Sequence, residues 1–268
     1  MIQALAEAMD PAAFGGKAVQ LGAAIRAGLP VPAGFALSFE QVEATACGDP
    51  VALAALQASC PGSTPCVVRS SAIGEDSGAA SFAGTHLSML GVCGFAAIVQ
   101  AVQKVHASGQ DPGARAYRAR LGLDGTPRMA VVVQELVDAD VAGVLFTRNP
   151  VTGAAERVIE ASWGLGEAVV SGLVTPDHYW LDSTGSLLKL SVGEKDLQIR
   201  RSACGGTEQA PVAPELICTP CLGDGELTAL HALAAACDRV FSCPDHDIEF
   251  AFRGGAVFLL QRRPITSG

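Results

Sequence analysis

The closing segment constrains this chain most. Asp247-Ile248-Glu249-Phe250 and Gln261-Arg262-Arg263-Pro264 flank two short apolar runs joined through Arg253-Gly254-Gly255. Turn formers between apolar runs predict a β-hairpin. Side chains alternate faces along a strand. Phe250, Phe252, Phe258 and Leu260 are therefore expected on one buried face, and Glu249, Gln261 and Arg263 on the other. Pairing that is symmetric about the turn sets Glu249 opposite Gln261. A carboxylate, an amide oxygen and a guanidinium on one sheet face suit Mg²⁺ and polyphosphate: oxygen ligands for a hard cation, a planar fork for phosphate. An ordinary surface hairpin with polar residues would carry the same pattern.

The chain has 268 residues, 49% hydrophobic and 17% charged, with a net charge of −9. That is the composition of a globular chain with ample core. The acidic balance disfavours a general nucleic-acid binder, which needs clustered Lys and Arg. It leaves room for a nucleotide site, where a few local cations suffice. No apolar run reaches the roughly 18–20 residues that span a bilayer. Met1 to Asp10 has no basic n-region, so no secretory signal is expected there. A cytoplasmic protein with reduced thiols is the reading of its nine cysteines. Cys218-Thr219-Pro220-Cys221 is the lone CxxC. With Cys237 and Cys243 as partners, its spacing is wrong for a zinc finger or ribbon.

Helical spacing predicts helices over 17–28, near 50–58, over 95–105 and over 227–241. Strands are expected at 35–37, 66–69, 129–136, 142–147, 158–161 and 179–181, and the stretch 38–65 is otherwise irregular. The pattern is mixed α and β with antiparallel hairpins.

Several segments have a place in phosphate chemistry. Gly15-Gly16-Lys17 precedes the first helix, where free amides and a Lys attract an anion. It is not a Walker A loop, since Pro11 and Ala18 replace the required Gly and Ser or Thr. A flexible helix start with a surface Lys is the alternative. Arg69-Ser70-Ser71 follows a buried strand, where the guanidinium and hydroxyls would grip phosphate oxygens; a solvated Arg paired with Glu75 or Asp76 is the other reading. Ser81 to Thr85 is a small-residue loop with one aromatic, suited to a lid or to an ordinary turn. Gln134-Glu135 closes a Val-rich strand, as an adenine hinge or as a satisfied polar pair. Gly164 to Val169 only superficially matches a dinucleotide fingerprint, because the third Gly is Val169. The five His form no nucleophile or ligand cluster.

Taken in order, GGKAVQLGAAIRAGLPVPAGFALS, VVRSSAIGEDSGAASFAG, VVVQELV, AGVLFTRNPVTG, EASWGLGEAVVSGLVTPDHY, GGTE and DIEFAF with LLQRRPIT resemble one family. This is the N-terminal ATP-binding domain of phosphoenolpyruvate synthase, pyruvate phosphate dikinase and rifampicin phosphotransferase. The resemblance spans nearly the whole chain. It implies an α+β ATP-grasp fold, with two subdomains clamping ATP between antiparallel sheets. Residues 1–65 would begin the first subdomain, with a shortened 38–65 region. Residues 66–128 would complete it with the phosphate loop, and 129–268 would form the second subdomain with a metal-binding hairpin.

The resemblance further implies site roles. Lys17 and Arg69 match phosphate-binding positions, Gly84 the phosphate-loop glycine, and Ser88 a position where Thr is usual. Gln134 falls at the adenine hinge, Glu249 and Gln261 at the Mg²⁺ ligands, and Arg263 at the cation on the transferring phosphates. Thr85 and Phe250 depart from a common Gln and Trp. In the family the β-phosphate of ATP passes to a His on a swivelling domain, leaving AMP. No Gly- and Thr-flanked His motif of that kind occurs in these residues. A separate polypeptide carrying the phosphorylatable His, or a small-molecule acceptor, is therefore expected. A standalone ATP-grasp enzyme activating a carboxylate or hydroxyl is one alternative, and a non-catalytic nucleotide-binding module another.

Overall fold

A computed structural model describes residues 1–73, 87–109, 128–241 and 245–265. The chain forms two compact units. Unit 1 comprises residues 1–26, 33–136 and 204–206; unit 2 comprises 27–32, 137–203 and 207–268.

Unit 1 contains, among the described residues, a five-stranded sheet. In chain order its strands are β1 (Ile2–Ala4), β2 (Gly34–Leu37), β3 (Cys66–Ala72), β4 (Ser88–Val92) and β5 (Met129–Glu135), arranged β1-β2-β5-β3-β4. All its pairings are antiparallel. The unbroken Val131-Val132-Val133 run is central because β5 is bonded on both sides, by β2 and β3. The division between units falls after Leu136, at the end of this strand.

The helices sort onto the two faces of this sheet. Helix α1 (Pro11–Arg26) lies on one. Helices α2 (Phe39–Ala46), α3 (Pro50–Ser59) and α4 (Phe95–Ser108) supply Val42, Leu56, Ile98 and Val102 to a core with Val68, Val131 and Val133 on the other. Helix α2 lies in the stretch read as irregular. Ser38 caps it, its Oγ accepting from Gln41 N at 3.3 Å. Asp49 caps α3 through Ala52 N at 2.8 Å. Strand β3 runs three residues further than expected, so Arg69 stands inside a strand rather than at its end.

Unit 2 holds a six-stranded antiparallel sheet among the described residues. It comprises β6 (Val141–Phe146), β7 (Arg157–Trp163), β8 (Asp177–Leu181), β9 (Leu187–Ser191), β12 (His246–Arg253) and β13 (Ala256–Pro264), in the order β13-β12-β6-β7-β8-β9. Between β9 and β12, strands β10 (Leu197–Arg201) and β11 (Thr207–Pro211) form a separate hairpin. The short helix α5 (Glu167–Val170) follows β7, and α6 (Asp224–Val240) turns Leu227, Leu230, Leu233, Ala234 and Cys237 inward. Ile248, Phe250, Leu145, Ile159 and Leu181 are buried strand residues on one side of the sheet. No described helix is long and apolar enough to cross a membrane.

The closing hairpin departs from symmetric pairing. The register is Glu249 to Gln261 and then Phe250 to Leu259, a bulge that leaves Leu260 as the extra residue. A one-residue slip flips faces. Leu259, not Phe258 or Leu260, joins Phe250 and Phe252. Phe258 and Leu260 pack instead against Val137, Ala142 and Ala251. The four-residue apolar face expected from the sequence is corrected accordingly.

Candidate functional site

In unit 1 the polar residues converge on the α1 face of the sheet. Cross-strand partners share a face, and the register pairs Arg69 with Val132 and Ser88, Ser71 with Ala130, and Gln134 with Val67 and Gly34. Arg69, Ser71, Ser88 and Gln134 therefore line one surface. Gln134 and Arg69 are largely buried, whereas Ser88 is exposed. Gly34 matters beside Gln134: a Cβ there would meet Val133 O at 2.4 Å and Gln134 Cγ at 2.9 Å, so a side chain would push β2 off β5.

Lys17 is held at the same surface by the start of α1. Gly15 breaks the helix with φ 75° and ψ 173°, a conformation open essentially to glycine alone. Ser71 Oγ donates to Phe14 O at 2.7 Å and accepts from Ala18 N at 3.1 Å. One hydroxyl thus straps both sides of the Gly15-Gly16-Lys17 corner to β3. This corrects the idea that both hydroxyls after Arg69 reach for phosphate, since Ser71 is engaged with the helix. The buried position of Lys17 also replaces the flexible surface start. A Cβ on Gly15 would sit 2.2 Å from Ser71 O. Gly15→Ala is expected to cost about 2–4 kcal/mol, from positive-φ strain plus the clash. Urea denaturation measures it, and a loss under 1 kcal/mol would show the corner to be tolerant.

In unit 2 the expected trio does share a face. Glu249 stands opposite Gln261, and Asp247 opposite Arg263. Arg263 Nε donates to Asp247 Oδ2 at 2.5 Å. Burial pushes the Asp247 carboxyl above its ordinary range, Arg263 pulls it down, and the charges of Glu249 and Glu160 push it up again. Sequence reading passed over Asp247, although its spacing of two from Glu249 was the available signal. It also missed Glu160, which reaches this face through the row Gln261, Glu249, Val144, Glu160, His178. His178 Nδ1 lies 3.6 Å from Glu160 Oε1.

Gln261 and Glu249 in register offer an amide oxygen and a carboxylate side by side. Two such ligands suit Mg²⁺, which keeps waters and takes its remaining ligands from phosphates. Among the described residues no group of three or more His, Cys, Asp or Glu forms a metal cage. Cys218 is exposed and Cys221 buried, and Cys221 N donates to Asp177 Oδ2 at 2.8 Å. Cys243 and Gly84, with residues 74–86, lie outside the described residues, so the phosphate loop and the pairing of Arg69 with Glu75 or Asp76 do too.

Behind the hairpin lies a second network, built on the buried Arg262 and His246. Arg262 Nε donates to His246 Nδ1 at 2.8 Å, and its guanidinium covers the Phe241 ring at 4.5 Å. His246 Nε2 lies 3.1 Å from Asp238 Oδ1, and Asp238 Oδ2 is 3.9 Å from Arg157. Arg157 in turn donates to His231 O at 2.8 Å. Burial first, then Arg262, pulls the imidazole down to about 4 from 6.5, against the opposing charge of Asp245. The unfolded chain therefore takes up this proton first on acidification. Stability is complete above about pH 6.5 and falls between 6.5 and 4, by about 3 kcal/mol at 1.36 kcal/mol per pH unit. Urea midpoints at pH 7 and pH 5 test this, with the difference expected to shrink in His246→Asn.

Residues 51–268 match the family described as pyruvate phosphate dikinase, AMP/ATP-binding domain. A probable phosphoenolpyruvate synthase of Methanothermobacter thermautotrophicus is 45% identical over 202 residues, covering 75% of this chain and 29% of that protein. A rifampicin phosphotransferase of Streptomyces sviceus is 37% identical over 76% of this chain and 24% of its own length. For the phosphoenolpyruvate synthase of Pyrococcus furiosus the figures are 37%, 75% and 26%. The chain thus spans about a quarter of the length of these relatives. With the family's motifs in order along the sequence and its model matched over residues 51–268, the chain belongs to the pyruvate phosphate dikinase AMP/ATP-binding domain family.

Proposed function

We propose that this chain is the ATP-binding module of a dikinase-type phosphotransferase, with the ATP-grasp fold. The observation that carries the reading is the hairpin register: Glu249 opposite Gln261, and Arg263 held by Asp247 on the same face. Lys17, Arg69 and Gln134, with Ser88 and Gly84, would supply the other contacts to the nucleotide. Glu249 and Gln261 would hold Mg²⁺, which supplies positive charge against the phosphate oxygens when bound.

Each residue then has a task. Arg263 presents a guanidinium to the phosphoryl group being transferred, and Asp247 keeps that fork in one orientation. Lys17 and Arg69 neutralise charge that builds on the oxygens as the bond to phosphorus loosens; positioning and electrostatic stabilisation supply most of the catalysis in such reactions. Gln134 orients the base. The acceptor of the β-phosphoryl group is a His on a partner polypeptide or a small molecule, with AMP released and the γ-phosphate passing to water as orthophosphate. The names of the relatives lend no support to a carboxylate-activating enzyme or a nucleotide sensor.

Equilibrium dialysis with labelled ATP, in Mg²⁺ and in EDTA, tests the binding step. Saturable binding weakened by EDTA supports the reading, and none up to millimolar ATP overturns it. Anion-exchange separation of nucleotides, after incubation with a histidine-bearing phosphocarrier protein, tests the transfer. AMP supports a dikinase, and ADP as the sole product counts against it.

A further inference from the structure

Strand β13 alternates its last polar residues between two faces. Gln261 and Arg263 point to the candidate site, and Arg262 between them points to the opposite face with Ile248, its cross-strand partner. Strand β12 does the same, with Asp247 and Glu249 on the site face and His246 behind. The two residues that face away from the site are bonded directly to each other, Arg262 Nε to His246 Nδ1 at 2.8 Å. Both are buried.

The chemistry of that bond is specific. A guanidinium can only donate, so Nδ1 must carry the lone pair and Nε2 the proton. Nε2 lies 3.1 Å from Asp238 Oδ1 on α6 but forms no hydrogen bond with it. The main chain beside the ring is anchored as well: His246 N donates to Thr147 Oγ1 at 2.6 Å. Phe241 covers the guanidinium and also meets the imidazole edge-on at 6.1 Å. The pin therefore joins the last strand to β12, with Phe241, at the end of α6, packed on both groups. The bulge at Leu260 makes such a pin useful. The bulge leaves Leu260 unpaired and the ladder locally disrupted, and a one-residue slip of the strand beyond it would carry Gln261 and Arg263 away from Glu249 and Asp247.

We propose that Arg262 and His246 are positioning residues, which lock the strand beyond the bulge so that Gln261 and Arg263 stay in register with Glu249 and Asp247. This rests on the proposed function only for its readout, the binding of MgATP. The pin acts on the phosphate and metal end of the ligand and not on the base.

Two measurements on the folded chain test it. Isothermal titration compares MgATP and adenosine binding for wild type, Arg262→Ala, Arg262→Lys and His246→Asn. Arg262→Ala is expected to weaken MgATP about tenfold or more while adenosine binding holds. His246→Asn, which keeps an acceptor near the Nδ1 position, is expected to retain most of the affinity. Equal losses for MgATP and adenosine, or no loss in a folded Arg262→Ala, overturn the proposal. The second measurement needs no variant: nitrogen-15 imidazole shifts of wild-type His246. The Nε2–H tautomer is expected, and the Nδ1–H tautomer or a charged ring at neutral pH overturns the pin. Wild-type chain that binds no ATP would defeat the functional reading instead, and the tautomer would still decide the pin.

Discussion

Glu249→Ala is expected to weaken MgATP binding on the order of 10²-fold, the scale on which one preorganised electrostatic contact acts, without destabilising the fold. The physical reason is asymmetric. Glu249 stands on the site face beside Asp247, and its charge is one of those that raise the Asp247 carboxyl. Removing that charge relieves a like-charge repulsion, so the Asp247–Arg263 pair at 2.5 Å is kept or strengthened. The proposed Mg²⁺ ligand opposite Gln261 is lost at the same time. Calorimetric titration with MgATP, alongside a thermal melt, separates the two effects. Unchanged affinity in a folded variant would remove Glu249 from the site. Lost affinity with a collapsed melting transition would show a structural role instead.

Lys195→Ala is expected to destabilise unit 2 by about 3–5 kcal/mol, the cost of leaving a buried charge without its partner. That is a large part of the roughly 5–15 kcal/mol that holds a typical domain together. Lys195 Nζ lies 2.5 Å from Asp177 Oδ1, with both side chains fully buried. The same carboxylate accepts from Gly193 N and Cys221 N at 2.8 Å each and from the Tyr179 hydroxyl at 3.2 Å. Tyr179 Oη accepts in turn from Leu222 N at 3.0 Å. Asp177 thus ties strand β8 to the loops that carry Gly193 and Cys221. Chemical denaturation gives the loss directly. The double variant Lys195→Met/Asp177→Asn is expected to recover part of it, because no charge is then left buried. A single variant as stable as the wild type would mean that water reaches Asp177.

How far the site was legible depended on whether the information was local. Alternation of period two set Gln261 and Arg263 on one face, and that holds; the turn at Gly254-Gly255, with Arg253 opposite Ala256, would by itself bring Glu249 opposite Leu260, and the bulge brings it opposite Gln261 instead. Asp247 obeys the same period and was open to the same argument. The Leu260 bulge was not, because an extra residue in one strand is decided by what the partner strand and its packing accommodate, here Val137, Ala142 and Ala251. Glu160 was equally out of reach. It enters the row of Glu249 only when β6 and β7 are paired in their actual register.

The chain's own pattern of apolar spacing, turn residues and ordered motifs was enough to settle a mixed α and β chain, strands β2, β3, β5 to β8 and the closing hairpin, helices α1, α3, α4 and α6, and the family, because these depend on neighbours a few residues apart. Tertiary structure alone decided that Ser71 straps the glycine–lysine corner, that Lys195 from a polar loop is buried on Asp177, and that Arg262 turns away from its neighbours to His246. Each of those contacts joins residues whose meeting is dictated by the packing of whole elements, and a charged side chain carries no mark in sequence of whether water or a buried partner will satisfy it.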